Sequence, residues 1–520
     1  MSIRIARTLF GRLPLTLFGF LALLSALPAW GQFTNVNTAS GVSSIVANRY
    51  AAFPSWWLSG LHLIDLDGDG NLDLFLSSHG GGDALALLGN GHGVFVVAAG
   101  SYPTTEVHLN YDIDEDGKDD VSMTYTDGGG QWWRNLSQAG TLNIAATAQT
   151  TDGNSARTQV MADFNRDGFV DWIRAAPPGI QFDFGNGAGA FTRDSFSLAI
   201  PGTDSNNNAN LLPGDFDGDG DIDLLVMTGG GYDDTDGHTD YYRNDGLLNG
   251  HPQFSKQTTL AGLPDGVIIK GVGDYDLDGD LDLIAIEHKK LPPVIYWNNG
   301  HGVFTRDATA ITGVAASNLT YAAWGTAVMT DFDNDGIPDI LMNGKYYLML
   351  LRGTGGGHFE YKNQAWNIAN ECPCSIDGGL AFGDIDNDGD LDIIGYSNAD
   401  EPYQVNVYRN DNPSKNWLRV RPIGHAGNRG AAGAKIRLFA TGTQQLIGDE
   451  SVAIYCFQAA SSYYGKAITE RHFGLGTRAN VDVEVEFYPS GRIVRLRAVG
   501  ANAVVDVPED GDGIFADGFE

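Results

Sequence analysis

Basic side chains are scarce in this chain: 32 Lys and Arg stand against 65 Asp and Glu, a formal charge of −33 over 520 residues. That imbalance excludes nucleic acid as a partner, because neutralising phosphates takes clustered Lys and Arg. Cysteine is scarcer still, with Cys372 and Cys374 in a C-P-C and Cys456 far downstream. A single C-x-C lacks the second pair of ligands a structural zinc needs, so the expectation is a local disulfide, with a buried free thiol at Cys456. No stretch beyond residue 31 is apolar enough to span a bilayer. The H-E-x-x-H, G-x-S-x-G, G-x-x-x-x-G-K-S/T and dinucleotide fingerprints are missing as well, so no catalytic residue is assigned. What is plentiful is glycine, 69 residues, and aromatic side chains, 55 in all, far more than a solvated, self-repelling chain carries.

Residues 1–31 run from Arg4, Arg7 and Arg12 through an apolar stretch, Leu13 to Leu27, to Ala29-Trp30-Gly31. This pattern predicts a signal peptide cleaved before Gln32. A membrane anchor would need about 20 apolar residues, and Pro14 and Pro28 bracket a shorter run. Export to an extracellular or periplasmic location, free or held at the cell surface, is the expectation, and the mature chain would carry −36.

One nine-residue pattern, D-x-D-x-D-G-x-x-D, is written seven times, beginning at Asp65, Asp112, Asp163, Asp215, Asp274, Asp331 and Asp384. The spacings of 47 to 59 residues suit a supersecondary unit of about 50 residues, the size of a propeller blade. Each loop leads into an apolar run such as Leu74-Phe75-Leu76 or Leu283-Ile284-Ala285-Ile286, which reads as a buried strand. A further strand ends at a turn such as Tyr296-Trp297-Asn298-Asn299-Gly300, followed by a Phe-led segment at Phe95, Phe191, Phe254, Phe304 and Phe359, with Leu142 in the second unit. The seventh unit stops at Tyr408-Arg409-Asn410-Asp411 without that segment, and an orphan copy, Phe33-Thr34-Asn35-Val36, precedes the first loop. The N-terminal strand therefore completes the last unit, predicting an all-β chain with a seven-bladed β-propeller over residues 32–414. From Lys415 the loops cease, and alternating strands such as Val481 to Phe487, with the turn Pro489-Ser490-Gly491-Arg492 after it, predict a small β domain over 415–508. An acidic, flexible tail, 509–520, follows.

Alternating carboxylates with glycine at the bend suit a hard cation, and Ca²⁺ accepts six to eight oxygens in a flexible shell. Positions one, three, five and nine would supply side chains and position seven a carbonyl. The first loop thus offers Asp65, Asp67, Asp69, Asp73 and the Asn71 carbonyl, and the second Asp112, Asp114, Asp116, Asp120 and Lys118. The third offers Asp163, Asn165, Asp167, Asp171 and Phe169, and the fourth Asp215, Asp217, Asp219, Asp223 and Asp221. The fifth offers Asp274, Asp276, Asp278, Asp282 and Asp280, the sixth Asp331, Asp333, Asp335, Asp339 and Ile337, and the seventh Asp384, Asp386, Asp388, Asp392 and Asp390. Up to seven structural Ca²⁺ ions are expected, weakest at the third loop, where Asn165 replaces a carboxylate and Arg166 adds positive charge. An EF-hand is excluded, since position twelve is Leu76 in the first copy where a bidentate Glu would stand. Trp56, Trp57, Trp132, Trp133 and Tyr241 are candidates either for stacking on sugars or for filling gaps between blades. His288-Lys289-Lys290 reads as a solvated loop, and His472 as a packed structural residue.

These loops resemble the FG-GAP, or VCBS-type, repeats of integrin α propellers. Asn428-Arg429-Gly430-Ala431-Ala432-Gly433-Ala434-Lys435-Ile436, Arg471-His472-Phe473-Gly474-Leu475-Gly476 and Phe487-Tyr488-Pro489-Ser490-Gly491-Arg492 resemble the ASPIC/UnbV signatures of the cartilage acidic protein family. Two departures stand out: Phe487-Tyr488 replaces the usual Trp, and Ser461-Ser462-Tyr463 replaces S-G-Y. The closing Ile514 to Glu520 looks like a tail of exported bacterial proteins. The resemblance implies an exported, calcium-binding, monomeric adhesion or recognition protein for an extracellular protein or glycan. The alternative is a Ca²⁺-dependent polysaccharide-active enzyme with its site at the propeller mouth.

Overall fold

The computed structural model describes residues 33–510, apart from 57, 79–82, 101, 103–104, 126–129, 152–157, 177–178, 200–209, 229–237, 258–261, 265, 288–291, 316–325, 345–346, 369–379, 398–403, 413–414, 425–430, 452–453, 460–461 and 468–469. The expected signal peptide, Trp57, the His288 cluster, Cys372 with Cys374, and the tail from Gly511 on lie outside the described residues.

Among the described residues the chain is all-β with one helix, Val42–Ala52, between the N-terminal strand and the first repeat. Seven of the nine sheets among the described residues each carry one Asp loop. In every one the loop is the hairpin connection between the first two strands, and the last Asp of the motif is the first residue of the second strand. Ile64 pairs with Asp73, Tyr111 with Asp120, Ala162 with Asp171 and Gly214 with Asp223. Gly273 pairs with Asp282, Thr330 with Asp339 and Gly383 with Asp392. All seven loops thus sit at equivalent ends of their sheets. The second strands Asp73–Ser78 and Asp282–Ile286 are buried along their length, as their apolar runs require.

The orphan N-terminal segment behaves as its sequence indicates. Phe33–Asn35 pairs antiparallel with the last strand of the seventh unit, Phe33 opposite Asn410. Consecutive sheets share hydrophobic clusters: Phe75 and Val121 join the first to the second, Leu109 and Trp172 the second to the third, Ile173 and Leu224 the third to the fourth. Leu225 and Leu283 join the fourth to the fifth, Ile284 and Ile340 the fifth to the sixth, and Leu341 and Ile393 the sixth to the seventh. Leu74 and Ile394 join the seventh to the first. Trp56, Trp132 and Tyr241 are buried in these clusters, so they fill gaps between sheets and are not open for sugar stacking.

The C-terminal strands form two further sheets around a core of Leu418, Ile436, Val483, Val485 and Phe487. Val481, Val483, Val485 and Phe487 are buried together as the alternation requires, but Glu484 is buried too, held by Arg437 and Arg495. One part of this region departs from a self-contained domain. The hairpin Ile454–Ala459 with Ser462–Ala467 joins the third repeat's sheet, Tyr455 opposite Val160 and Ile454 opposite Met161. It lies against the first strands of the first, second and fourth repeats as well, so the C-terminal region packs on the first strands of four successive repeats. Among the described residues no helix is long and apolar enough to cross a membrane.

Candidate metal centres in the repeated loops

Each Asp loop closes on itself through its own backbone. Gly at position six takes a left-handed backbone in all seven copies, φ between 88° and 97°, a region L side chains avoid. Position four is left-handed too: Gly68, Gly218, Asn334 and Asn387 suit that region, but Glu115, Arg166 and Leu277 adopt it with no warning from the sequence. The two bends turn N–H groups inward. The position-six N–H donates to the position-one carboxylate at 2.6–3.2 Å in all seven loops.

The position-nine carboxylate is the anchor. One oxygen accepts the N–H of position two, as in Leu66 to Asp73 at 2.8 Å, and the other an N–H from the third strand, as in Gly89 to Asp73 at 2.8 Å. The pattern recurs in every repeat, from Ile113 and Asn135 on Asp120 to Ile385 and Asn410 on Asp392. Position five is tied differently: its Oδ1 accepts the N–H of position seven at 2.8–3.0 Å, from Asn71 on Asp69 to Asp390 on Asp388.

Positions one, three and nine converge. Carboxylate oxygens of Asp65, Asp67 and Asp73 lie within 4.8 Å of one another, as do those of the second, fourth, fifth and sixth loops. An all-oxygen, anionic donor set of this kind suits Ca²⁺. In the third loop Asn165 donates its amide to Asp167 at 3.0 Å, and Arg166 reaches out to Asp221 of the fourth loop at 2.7 Å, away from its own. Burial makes the charged form costly. It pushes Asp73 up to about 7, Asp120 to about 8 and Asp282 to about 9, and raises Asp171, Asp339 and Asp392 well above the usual carboxylate range.

An arginine set completes four of the loops. The residue just before the third-strand N–H that binds position nine is Arg134, Arg243, Arg352 or Arg409 in repeats two, four, six and seven, but Leu88, Phe184 or Trp297 in the others. Each arginine pairs with its own position-three Asp: Arg134 with Asp114, Arg243 with Asp217 at 3.9 Å, Arg352 with Asp333 at 2.8 Å and Arg409 with Asp386 at 3.6 Å. The regular Tyr-Arg-Asn spelling at Tyr242-Arg243-Asn244 and Tyr408-Arg409-Asn410 is the signal that could have exposed it.

The C-terminal region covers part of this loop face. His472 bonds Asn334 of the sixth loop at 2.6 Å and stacks on Trp417; burial pushes it down to about 3, so it is a neutral structural residue. Arg419 reaches Asp384 of the seventh loop at 3.1 Å. Between the first, second and seventh loops and Arg419, Arg421 and Glu470 lies a cavity of about 720 Å³.

A family model described as FG-GAP-like repeat matches residues 112–174, 215–285, 274–342 and 331–395, and one described as ASPIC and UnbV matches 424–513. The chain is 26% identical over 261 residues to cartilage acidic protein 1 of Mus musculus and 25% over 260 residues to that of Homo sapiens. These matches cover 46% of this chain but only 37% and 36% of the relatives, so it spans little more than a third of their length. Among solved structures, an Agrocybe aegerita lectin that recognises non-reducing terminal N-acetylglucosamine aligns with TM-score 0.44 and 20% identity, over 68% of this chain and 88% of that one.

Proposed function

We propose, on the premise that the chain belongs to the family joining FG-GAP-like repeats to an ASPIC and UnbV domain, that it is an exported, calcium-stapled, seven-bladed β-propeller serving recognition or adhesion. The observation that carries the calcium part is the convergence of positions one, three and nine on one end of successive sheets. Three such carboxylates repel one another strongly, so a divalent cation closes the loop and with it the turn between the first two strands. Support for the ring is the chain of hydrophobic clusters from each sheet to the next and from the seventh back to the first, with Phe33–Asn35 finishing the seventh. Calcium in this reading is a staple. The C-terminal β domain, over 415–508, sits on the loop face, which leaves the remaining surfaces of the blades for a protein or glycan ligand.

The recognition part follows from the family alone, and binding assays test it. The full chain in calcium is presented to immobilised extracellular-matrix proteins and acidic and neutral glycans, with a chelated control. Saturable binding that chelator abolishes, with the ligand unchanged, is expected. Release of unsaturated or new reducing ends would overturn it in favour of a polysaccharide-active enzyme.

A further inference from the structure

The sixth loop has the same five key residues as the first, Asp at positions one, three, five and nine and Gly at six, but its surroundings are different. Asp331, Asp333 and Asp339 are all at most 4% exposed. The cover is the C-terminal strand Arg471–Gly476: Gly476 donates its N–H to the Asn334 carbonyl at 2.8 Å, and His472 holds the Asn334 side chain. A Cβ on Gly474 would strike the Asp331 carboxylate and the Asn334 backbone. Beneath this lid the position-three carboxylate is engaged on both oxygens by the chain's own cations. Arg352 donates to Asp333 Oδ2 at 2.8 Å, and Lys415 Nζ donates to Asp333 Oδ1 at 3.0 Å. The second guanidinium nitrogen of Arg352 binds Asp335.

Arg352 belongs to the same repeat as the loop. Lys415 does not: it stands one residue before the strand Asn416–Ile423, which pairs with the covering strand Arg471–Gly476. Its ammonium is placed on Asp333 from both flanks, by Asn412, which donates to the Asp333 carbonyl at 2.7 Å, and by that seated pair of strands. A group of four carboxylates, three of them buried, requires counter-charge, and here one of its two cations stands at the root of another domain.

We propose that Lys415 is a tethered counter-cation for the sixth loop, competing with a divalent cation there, so that metal at this loop and docking of the C-terminal β domain through Lys415 oppose each other. The proposal rests on the reading of the Asp loops as divalent-cation sites and concerns how one of them is set apart.

The test is equilibrium dialysis of the full chain against calcium chloride, counting bound ions for the wild type, Lys415→Met and Lys415→Arg, with hydrogen exchange of residues 416–423 and 471–476 followed along the same titration. Loss of one close charge should tighten one ion in Lys415→Met by roughly tenfold or more. Adding Asp331→Asn to that variant should abolish the gain, and Lys415→Arg should keep the wild-type isotherm. In the wild type, exchange of 416–423 and 471–476 should rise as the last ion binds. Should Lys415→Met prove unstable, Asp333→Asn is the second variant, expected to raise exchange in 416–423 with no calcium present. Ions bound elsewhere with superimposable wild-type and Lys415→Met isotherms, or Asp333→Asn without that rise, would overturn the proposal. A chain that binds no ions at all would overturn the underlying reading instead.

Discussion

The first and sixth Asp loops are written with the same key residues and do opposite things with their charge. In the first, Asp67 and Asp73 are buried but Asp69 and Gly70 are exposed, and among the described residues no Lys or Arg pairs with Asp65, Asp67, Asp69 or Asp73. In the sixth, the carboxylates lie under the C-terminal domain with Arg352 and Lys415 on Asp333. A motif therefore fixes the shape of a site without fixing what neutralises it. The neutralising group is set by the residue before the third-strand anchor, Leu88 in one case and Arg352 in the other, and by whichever domain lands on top.

The widest test of that contrast is pH. In the chain stripped of cations, Asp73 is pushed up to about 7, Asp120 to about 8 and Asp282 to about 9, against an unfolded value near 4. Between those limits the folded chain holds more protons than the unfolded one, so its stability falls as pH rises. Chelated protein should melt roughly 5 °C or more lower at pH 8 than at pH 5. Saturating calcium should flatten or reverse that slope, because the ion takes the protons' place. A chelated protein equally stable at both pH values would remove the electrostatic basis of the comparison.

Next in size is the lid. Gly474→Ala puts a methyl group into the Asp331 carboxylate and the Asn334 backbone, and should cost about 3 kcal/mol in chemical denaturation while exposing 471–476 to exchange. The smallest effect belongs to the open loop. Gly70 has φ of 91° and nothing within 4 Å of an added Cβ, so Gly70→Ala should cost only the backbone strain, about 1 kcal/mol, and leave the C-terminal domain seated. Equal losses from the two substitutions would erase the distinction between an open and a covered loop.

Much of the repeat array was legible in the sequence because its determinants are local and periodic. The nine-residue motif, the apolar run after it and the missing segment at Asn410 together anticipated the pairing of Phe33 with Asn410. The left-handed backbone at position four was not legible at Leu277 and Glu115, which carry no propensity for it; the next residue's N–H, bonded to the position-one carboxylate, holds each of them there. The addition of Ile454–Ala467 to the third repeat's sheet was equally hidden, because strand alternation shows that a segment pairs but not with which edge. Lys415 on Asp333 spans 82 residues and depends on domain docking, which no local pattern encodes. The buried Trp56, Trp132 and Tyr241 show the same limit, since a large aromatic reads alike whether it stacks on a sugar or fills a core.

The central claim is that the Asp loops are closed metal sites that hold the sheets together. Calcium titration of the full chain, with bound ions and melting temperature read on the same samples, tests it most directly. The account predicts six or seven ions bound and a steep loss of melting temperature on chelation. Fewer than about three ions, with a melting temperature indifferent to chelator, would contradict it.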